Sequence, residues 1–187
     1  RGAQIHRFTP VLETNGRADG SWDVVTDKGT VHAEVVVNAA GLWGREVAKL
    51  AGFELPLMTM EHQYFVTEQI PEIAALDRRL PSVADRDGEY YLRQEGQGLL
   101  VGAYEKNGKF WAEEGTPLDF GHELLPDDLD RIEENVMRAV ARVPALGTAG
   151  IKRVINGPMI WSPDSAALFG PVPELKNYYC CNGIVPG

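Results

Sequence analysis

His62, Tyr91 and Arg93 are the side chains here whose types and settings could carry proton transfer and anion recognition. Strand-like alternation over residues 57–68 sets Met58, Met60, His62, Tyr64 and Val66 on one face, and Thr59, Glu61 and Gln63 on the other. An imidazole among apolar neighbours can act as a base or a ligand, and it can equally be a core histidine with a satisfied partner. In the run at Tyr90, alternation separates Tyr90 and Leu92 from Tyr91 and Arg93. A phenol beside a guanidinium can cradle a carboxylate, although a solvated face with one amphipathic tyrosine would read the same way. The third candidate is main chain. Glu34-Val35-Val36-Val37-Asn38-Ala39-Ala40-Gly41-Leu42-Trp43 reads as a strand buried on both faces, ending in small residues and turning into a helix over about residues 43–51. A ligand could approach that backbone, with the helix amides aimed at a phosphate, while a plain tight turn would ask for the same small residues.

The elements that must position these groups make a mixed α/β fold of the α+β class. Short strands are expected at 3–8, 11–14, 22–26 and 30–33, with Asp27-Lys28-Gly29 as a hairpin turn. After the run at 57–68, Pro71 opens a short helix. Strands at 89–94 and 99–104 flank Glu95-Gly96-Gln97-Gly98. With Gly102 this resembles a dinucleotide fingerprint, but its third glycine comes one place late and strand residues follow, so a hairpin is predicted. Residues 106–125, carrying Phe110 and Trp111, form a long loop of the kind that often serves as a lid. Pro126-Asp127-Asp128 begins an amphipathic helix with Leu129, Ile132, Val136, Val140 and Val143 inward, and Pro144 ends it. Extended pieces follow at 151–155, 159–161 and 178–181, punctuated by turns at Asn156-Gly157-Pro158 and Asn182-Gly183.

Composition narrows the function. With 27 acidic against 18 basic residues and a net charge of -9, a nucleic-acid backbone is not an expected partner. No apolar run is long enough for a membrane helix, and no leader pattern is present, so a cytoplasmic location is expected. The neighbouring Cys180 and Cys181 point to opposite faces of a strand, and no metal-ligand spacing occurs, so neither a disulfide nor a bound metal is predicted. The sequence starts at Arg1 and stops in mid-pattern, as a piece of a longer chain would.

Val36-Val37-Asn38-Ala39-Ala40-Gly41-Leu42-Trp43, Glu61-His62-Gln63-Tyr64-Phe65-Val66-Thr67-Glu68, Tyr90-Tyr91-Leu92-Arg93-Gln94-Glu95, Asn156-Gly157-Pro158 and Ser162-Pro163-Asp164 follow one another in an order that resembles the sarcosine and dimethylglycine dehydrogenase family. These are FAD enzymes of the D-amino acid oxidase type. The resemblance spans essentially the whole chain and implies two lobes: a partial FAD-binding lobe from 1–52 with 151–187 returning to it, and a substrate lobe from 53–150. It implies that Val11, Ala39, Ala40, Gly41 and Trp43 line the adenosine and pyrophosphate of FAD. Gly157, Gly183, Ile184 and Val185 would then approach the flavin ring. His62 and Tyr91 would face the substrate amine as base and hydrogen-bond partner, and Arg93 the substrate carboxylate. The implied reaction is hydride transfer from an N-methyl group of a small amine, leaving an iminium that water or tetrahydrofolate converts.

The family's N-terminal fingerprint, its FAD-bearing histidine and its folate module have no counterpart in this sequence, so the 187 residues alone are expected to be inactive. A eukaryotic parent would sit in the mitochondrial matrix. Two other readings stand beside this one. One is a binding domain without redox activity; the other is an FAD enzyme for another amino acid or a glycerol phosphate, since one fold serves many substrates.

Overall fold

Turns at residues 17–21 and at Asp27-Lys28 set up the antiparallel start of the chain, and Asn15-Gly16, just before the first, is still strand. In the structure, a computed structural model describing residues 2–184, β1 (Val11–Gly16) pairs with β2 (Trp22–Thr26), and β2 with β3 (Gly29–Ala33). After β4 (Val36–Asn38) come a 3-10 turn at Gly41–Trp43, α1 (Gly44–Leu50), β5 (Met58–Thr67), α2 (Pro71–Ala74), β6 (Val83–Asp85), β7 (Tyr90–Glu95) and β8 (Gly98–Ala103). A second 3-10 turn at Leu129–Ile132 leads into α3 (Glu133–Arg142), and β9 (Ile151–Trp161), β10 (Leu168–Pro171) and β11 (Tyr178–Asn182) complete the order. Three sheets result, ordered β1-β2-β3, β10-β11-β4 and β6-β7-β8-β5-β9, so the fold is mixed α+β.

Two compact units divide the chain. The first takes residues 1–59, 112–119 and 160–187, and the second takes 60–111 and 120–159. In the first unit, Trp22, Ala48, Leu55, Leu57, Tyr178 and Cys180 form the core, with Trp22 and Phe53 edge-on to Tyr178 at 5.1 and 5.5 Å. β4 runs parallel to β11, pairing Val36 with Tyr178 and Asn38 with Cys180. The expectation of a valine strand covered on both faces fails here, because Val36 packs on the core while Val35 and Val37 stay exposed. Residues 3–8 form no strand either. Ile5 and Phe8 are exposed and the segment has no partner strand among the described residues, and a strand without a ladder leaves its main-chain groups to water.

In the second unit, Phe65, Ile70, Tyr90, Leu92, Leu99, Val101, Ile132 and Ala139 build the core, with Val136 and Val140 of α3 packed against it. β7 and β8 are a two-residue hairpin, Glu95 opposite Gly98, with Gly96 at φ 60, so the glycine cluster is turn and not nucleotide fingerprint. Two expectations are corrected. The helix predicted from Pro126 begins later, at the 3-10 turn, because the Gln63 side chain takes both the N–H and the C=O of Asp128, holding it outside helical geometry at φ -147 and ψ 68. The turn expected at Asn156-Gly157-Pro158 is instead continuous strand within β9. β9 is an edge strand, where proline's missing N–H removes no ladder bond, and the buried Asn156 amide donates to Glu61 Oε2 (2.8 Å) and the Pro126 carbonyl (2.7 Å).

Candidate functional site

The two faces of β5 divide the labour, in the reverse of the order that hydrophobicity predicts. Glu61 and Gln63 are buried, whereas Met60, His62 and Tyr64 are half-buried. The buried face works because its polar groups are paired. Glu61 Oε1 lies 2.9 Å from Lys109 Nζ, and its Oε2 accepts from Arg131 Nη1 at 3.1 Å as well as from Asn156. Burial pushes the Glu61 carboxyl up, but hydrogen bonds from Asn156, Lys109 and Arg131 outweigh it and hold the group below the usual carboxylate range.

On the other face, His62 Nε2 lies 3.3 Å from Tyr91 Oη. Tyr104, just past β8, stacks on His62 with ring centroids 4.9 Å apart and sits 5.6 Å from the Tyr91 ring. The neighbouring tyrosines part as alternation requires: Tyr90 is buried in the core, and Tyr91 is half-buried beside His62. Burial, helped by the positive charge of Arg131, lowers the His62 imidazole to about 4. Burial, with Tyr104 and Tyr64 adding to it and Arg93 opposing, raises the Tyr91 phenol to about 12. At neutral pH the pair is therefore an uncharged imidazole and an uncharged phenol, able to hold one small amine by hydrogen bonds without charging either ring. Arg93 shares the Tyr91 face but is half exposed, and its guanidinium reaches Glu95 at 3.7 Å.

Tyr91 lies across the strand because its β8 partner is Gly102. A Cβ at Gly102 would fall far inside contact distance of the Tyr91 ring and hydroxyl. In the full-length protein, Gly102→Ala is expected to swing the phenol away from His62 at little cost in stability, because the obstructing atoms are the free end of a side chain. Unchanged amide hydrogen exchange of the β5 and β8 peptides, with faster nitration of Tyr91 as its phenol leaves this bed for water, is the expected result. Nitration no faster than in wild type would show that the ring does not need this bed.

The main-chain candidates lie elsewhere, mostly in the first unit. Asn38 and Asn182 end the adjacent parallel strands β4 and β11, with Ala39-Ala40-Gly41 following the first and Gly183 the second. Gly41 (φ 54) and Gly183 (φ 68) both take the left-handed region that favours glycine. A Cβ at Gly41 would meet nothing within 4 Å, so main chain lies open at the carboxyl end of a parallel strand, which fits a dinucleotide approaching the backbone. The expected helix begins only at Gly44, after the 3-10 turn, and the Trp43 indole donates to the Pro117 carbonyl at 2.9 Å. Val11 is exposed at the start of β1, in a different sheet from β4, the strand that leads to Gly41. In the second unit, Gly157 also has open space where a Cβ would stand. Val185 lies outside the described residues. Among the described residues no cluster of His, Cys, Asp or Glu is placed to hold a metal, and no helix is long and apolar enough to cross a membrane.

Tyr104 and the Glu61–Arg131 pair were not picked out by sequence reasoning. Tyr104 follows β8 and meets His62 only through the fold, so no spacing in the sequence points to it.

Compared with known proteins, residues 1–187 match the family described as FAD dependent oxidoreductase. The chain is 46% identical over 187 residues to human mitochondrial dimethylglycine dehydrogenase, covering 97% of this chain and 22% of that one. It is 39% identical over 184 residues to mouse mitochondrial sarcosine dehydrogenase, covering 96% and 19%. It thus spans about a fifth of the length of these relatives. Among solved structures, L-proline dehydrogenase from P. horikoshii superposes with a TM-score of 0.74 at 24% identity, over 97% of this chain and 46% of that one.

Proposed function

Because the chain belongs to the FAD dependent oxidoreductase family, we propose that it is part of an enzyme that oxidatively demethylates an N-methyl glycine, dimethylglycine or sarcosine. The observation that carries this reading is the uncharged His62–Tyr91 pair, hydrogen-bonded on the half-buried face of β5 and β7. His62 offers a lone pair to the N–H of the arriving ammonium, and once that proton has left, the Tyr91 hydroxyl donates to the free-base nitrogen and orients it. Met60 and Tyr64, on the same side of β5 as His62, add apolar surface that favours the free amine over the ammonium.

Arg93 is assigned to the substrate carboxylate, drawn from its ion pair with Glu95. The open main chain at Ala39, Ala40, Gly41, Gly183 and Ile184 fits the dinucleotide, with Val11, Trp43, Gly157 and Val185 as further cofactor contacts. FAD, when bound, accepts the hydride that leaves the methyl group. Tetrahydrofolate is a second cofactor of the full-length protein in this reading, and both relatives named above support a mitochondrial location for a eukaryotic parent.

Single-turnover reduction of the full-length protein with dimethylglycine, sarcosine, D-amino acids and glycerol 3-phosphate tests the proposal. Dimethylglycine and sarcosine are expected to lead in kcat/KM. A lead for D-amino acids or glycerol 3-phosphate would replace the substrate class, and no bound flavin in the full-length protein would end the redox reading altogether.

A further inference from the structure

We propose that Arg131 is a positioning residue for the His62–Tyr91–Tyr104 cluster, which it aligns from the opposite face of the sheet by clamping Glu61 and Glu105. The inference rests on the reading of His62 and Tyr91 as the amine site. Its starting point is where the register stops. The β5–β8 ladder ends at Tyr64–Gly102, and beyond it the two segments part, with the Glu61 N–H bonded to the Lys109 carbonyl and Met60 bridged to Phe110, yet the His62 and Tyr104 rings still stack. Each stacked ring is the chain neighbour of a buried carboxylate: His62 follows Glu61, and Tyr104 precedes Glu105.

Two buried carboxylates drawn to one place repel each other, and without a cation this end of the β5–β8 pair would spread. Arg131 is that cation. Its Nη1 is 3.1 Å from Glu61 Oε2 and its Nε 2.9 Å from Glu105 Oε1, with the guanidinium only 9% exposed and both carboxylates less so. One guanidinium therefore ties together, by a hydrogen bond to Glu61 and an ion pair to Glu105, two residues whose neighbours stack on the other face, and a lysine, as a single point charge, cannot meet both in the same way.

The same cation bears on the protonation of His62. The ionisable groups on the elements packed about that ring are Glu61 and Tyr64 on β5, Tyr91 and Arg93 on β7, and Tyr104 and Glu105 at the end of β8. Lys109 on the following loop and Asp128 and Arg131 at the 3-10 turn complete the set. Of these, Arg131 is the one whose charge lowers the imidazole, after burial itself.

The test uses diethyl pyrocarbonate on the full-length protein without substrate, following carbethoxylation of the His62 peptide by mass spectrometry against pH. The reagent takes the neutral imidazole, so the acid limb reports protonation and the plateau rate reports how well the stack covers the ring. Arg131→Met is expected to move the acid limb up by about a unit, a tenfold change in the protonated-to-neutral ratio, and to raise the plateau rate several-fold. Arg131→Lys is expected to keep the limb and raise the plateau. A folded Arg131→Met protein with wild-type limb and plateau overturns the proposal, as does Arg131→Lys with a wild-type plateau. Should Arg131→Met fail to fold, Glu105→Gln loosens one arm of the clamp with a neutral isostere. A raised plateau in that variant supports the clamp, and an unchanged one overturns it. These readings need no turnover, so a wild-type reduction rate in His62→Ala would remove the amine-site reading without deciding them.

Discussion

In the full-length protein, His62→Ala is expected to slow flavin reduction by a dimethylglycine-type amine by about 10²-fold or more, the usual loss for removing a positioned proton acceptor. The rate should also shift in pH. The imidazole, held near 4 by burial and by Arg131, stays neutral across the physiological range, so the pH dependence of reduction near neutrality and above belongs to the substrate amine and not to His62. In wild type, half-buried rings that exclude water favour the free base and hold the apparent amine pKa down. Alanine opens the place to water, which solvates the ammonium, so the midpoint rises and a higher pH is needed for the same rate. Tyr91→Phe keeps the uncharged acceptor and loses only the orienting hydroxyl. It should slow reduction with a smaller change in that midpoint. Stopped-flow reduction between pH 6 and 10 reads both effects, and wild-type rates in the two variants would take His62 and Tyr91 out of the chemistry.

Local pattern carried the hairpins, the separation of Tyr90 from Tyr91 and the turn at Gly96-Gln97, because each is decided by alternation or by a φ that few residues adopt. It misjudged places where one tertiary bond outweighs local preference. Asp128 is kept out of the helix by Gln63, and the predicted turn at Asn156 is drawn straight by Glu61 and the Pro126 carbonyl. The same cause hid the inverted faces of β5. A strand with Thr59, Glu61 and Gln63 on one side reads as polar-out, and only the arrival of Lys109, Arg131 and Asn156 from distant segments makes that side the inner one. Residues that far apart in sequence leave no periodic signal, which is also why Arg131 could not be placed behind His62, on the other face of the strand, from spacing alone.

The second large effect falls on stability at that inner face. Glu61→Ala leaves the Arg131 guanidinium with Glu105 and strands the Asn156 amide on the Pro126 carbonyl, and removing one partner of a buried pair costs on the order of 3–5 kcal/mol. Glu61→Gln keeps the shape and an acceptor oxygen while losing the charge, so its cost should be smaller. Because the relatives that this chain matches are several times longer than it, and one global unfolding curve of such a protein mixes domains, amide hydrogen exchange of the β5 and β8 peptides is the better measure.

The pH dependence carries a definite sign. With its carboxyl held below the ordinary range, Glu61 contributes stability that is fully present above the unfolded-chain value of a glutamate and is lost as pH falls through its folded value. Glu105 runs the other way. Burial, the largest influence on it, holds its carboxyl above the ordinary range despite Arg131, so its protonation favours the folded form as pH falls. Wild-type protection of β5 should therefore decline on acidification by less than Glu61 alone would give. Glu61→Gln, with the depressed group removed and Glu105 kept, should lose that decline or reverse it. An acid-induced loss of protection identical in Glu61→Gln and wild type would mean that the buried carboxylate is not what holds the strand.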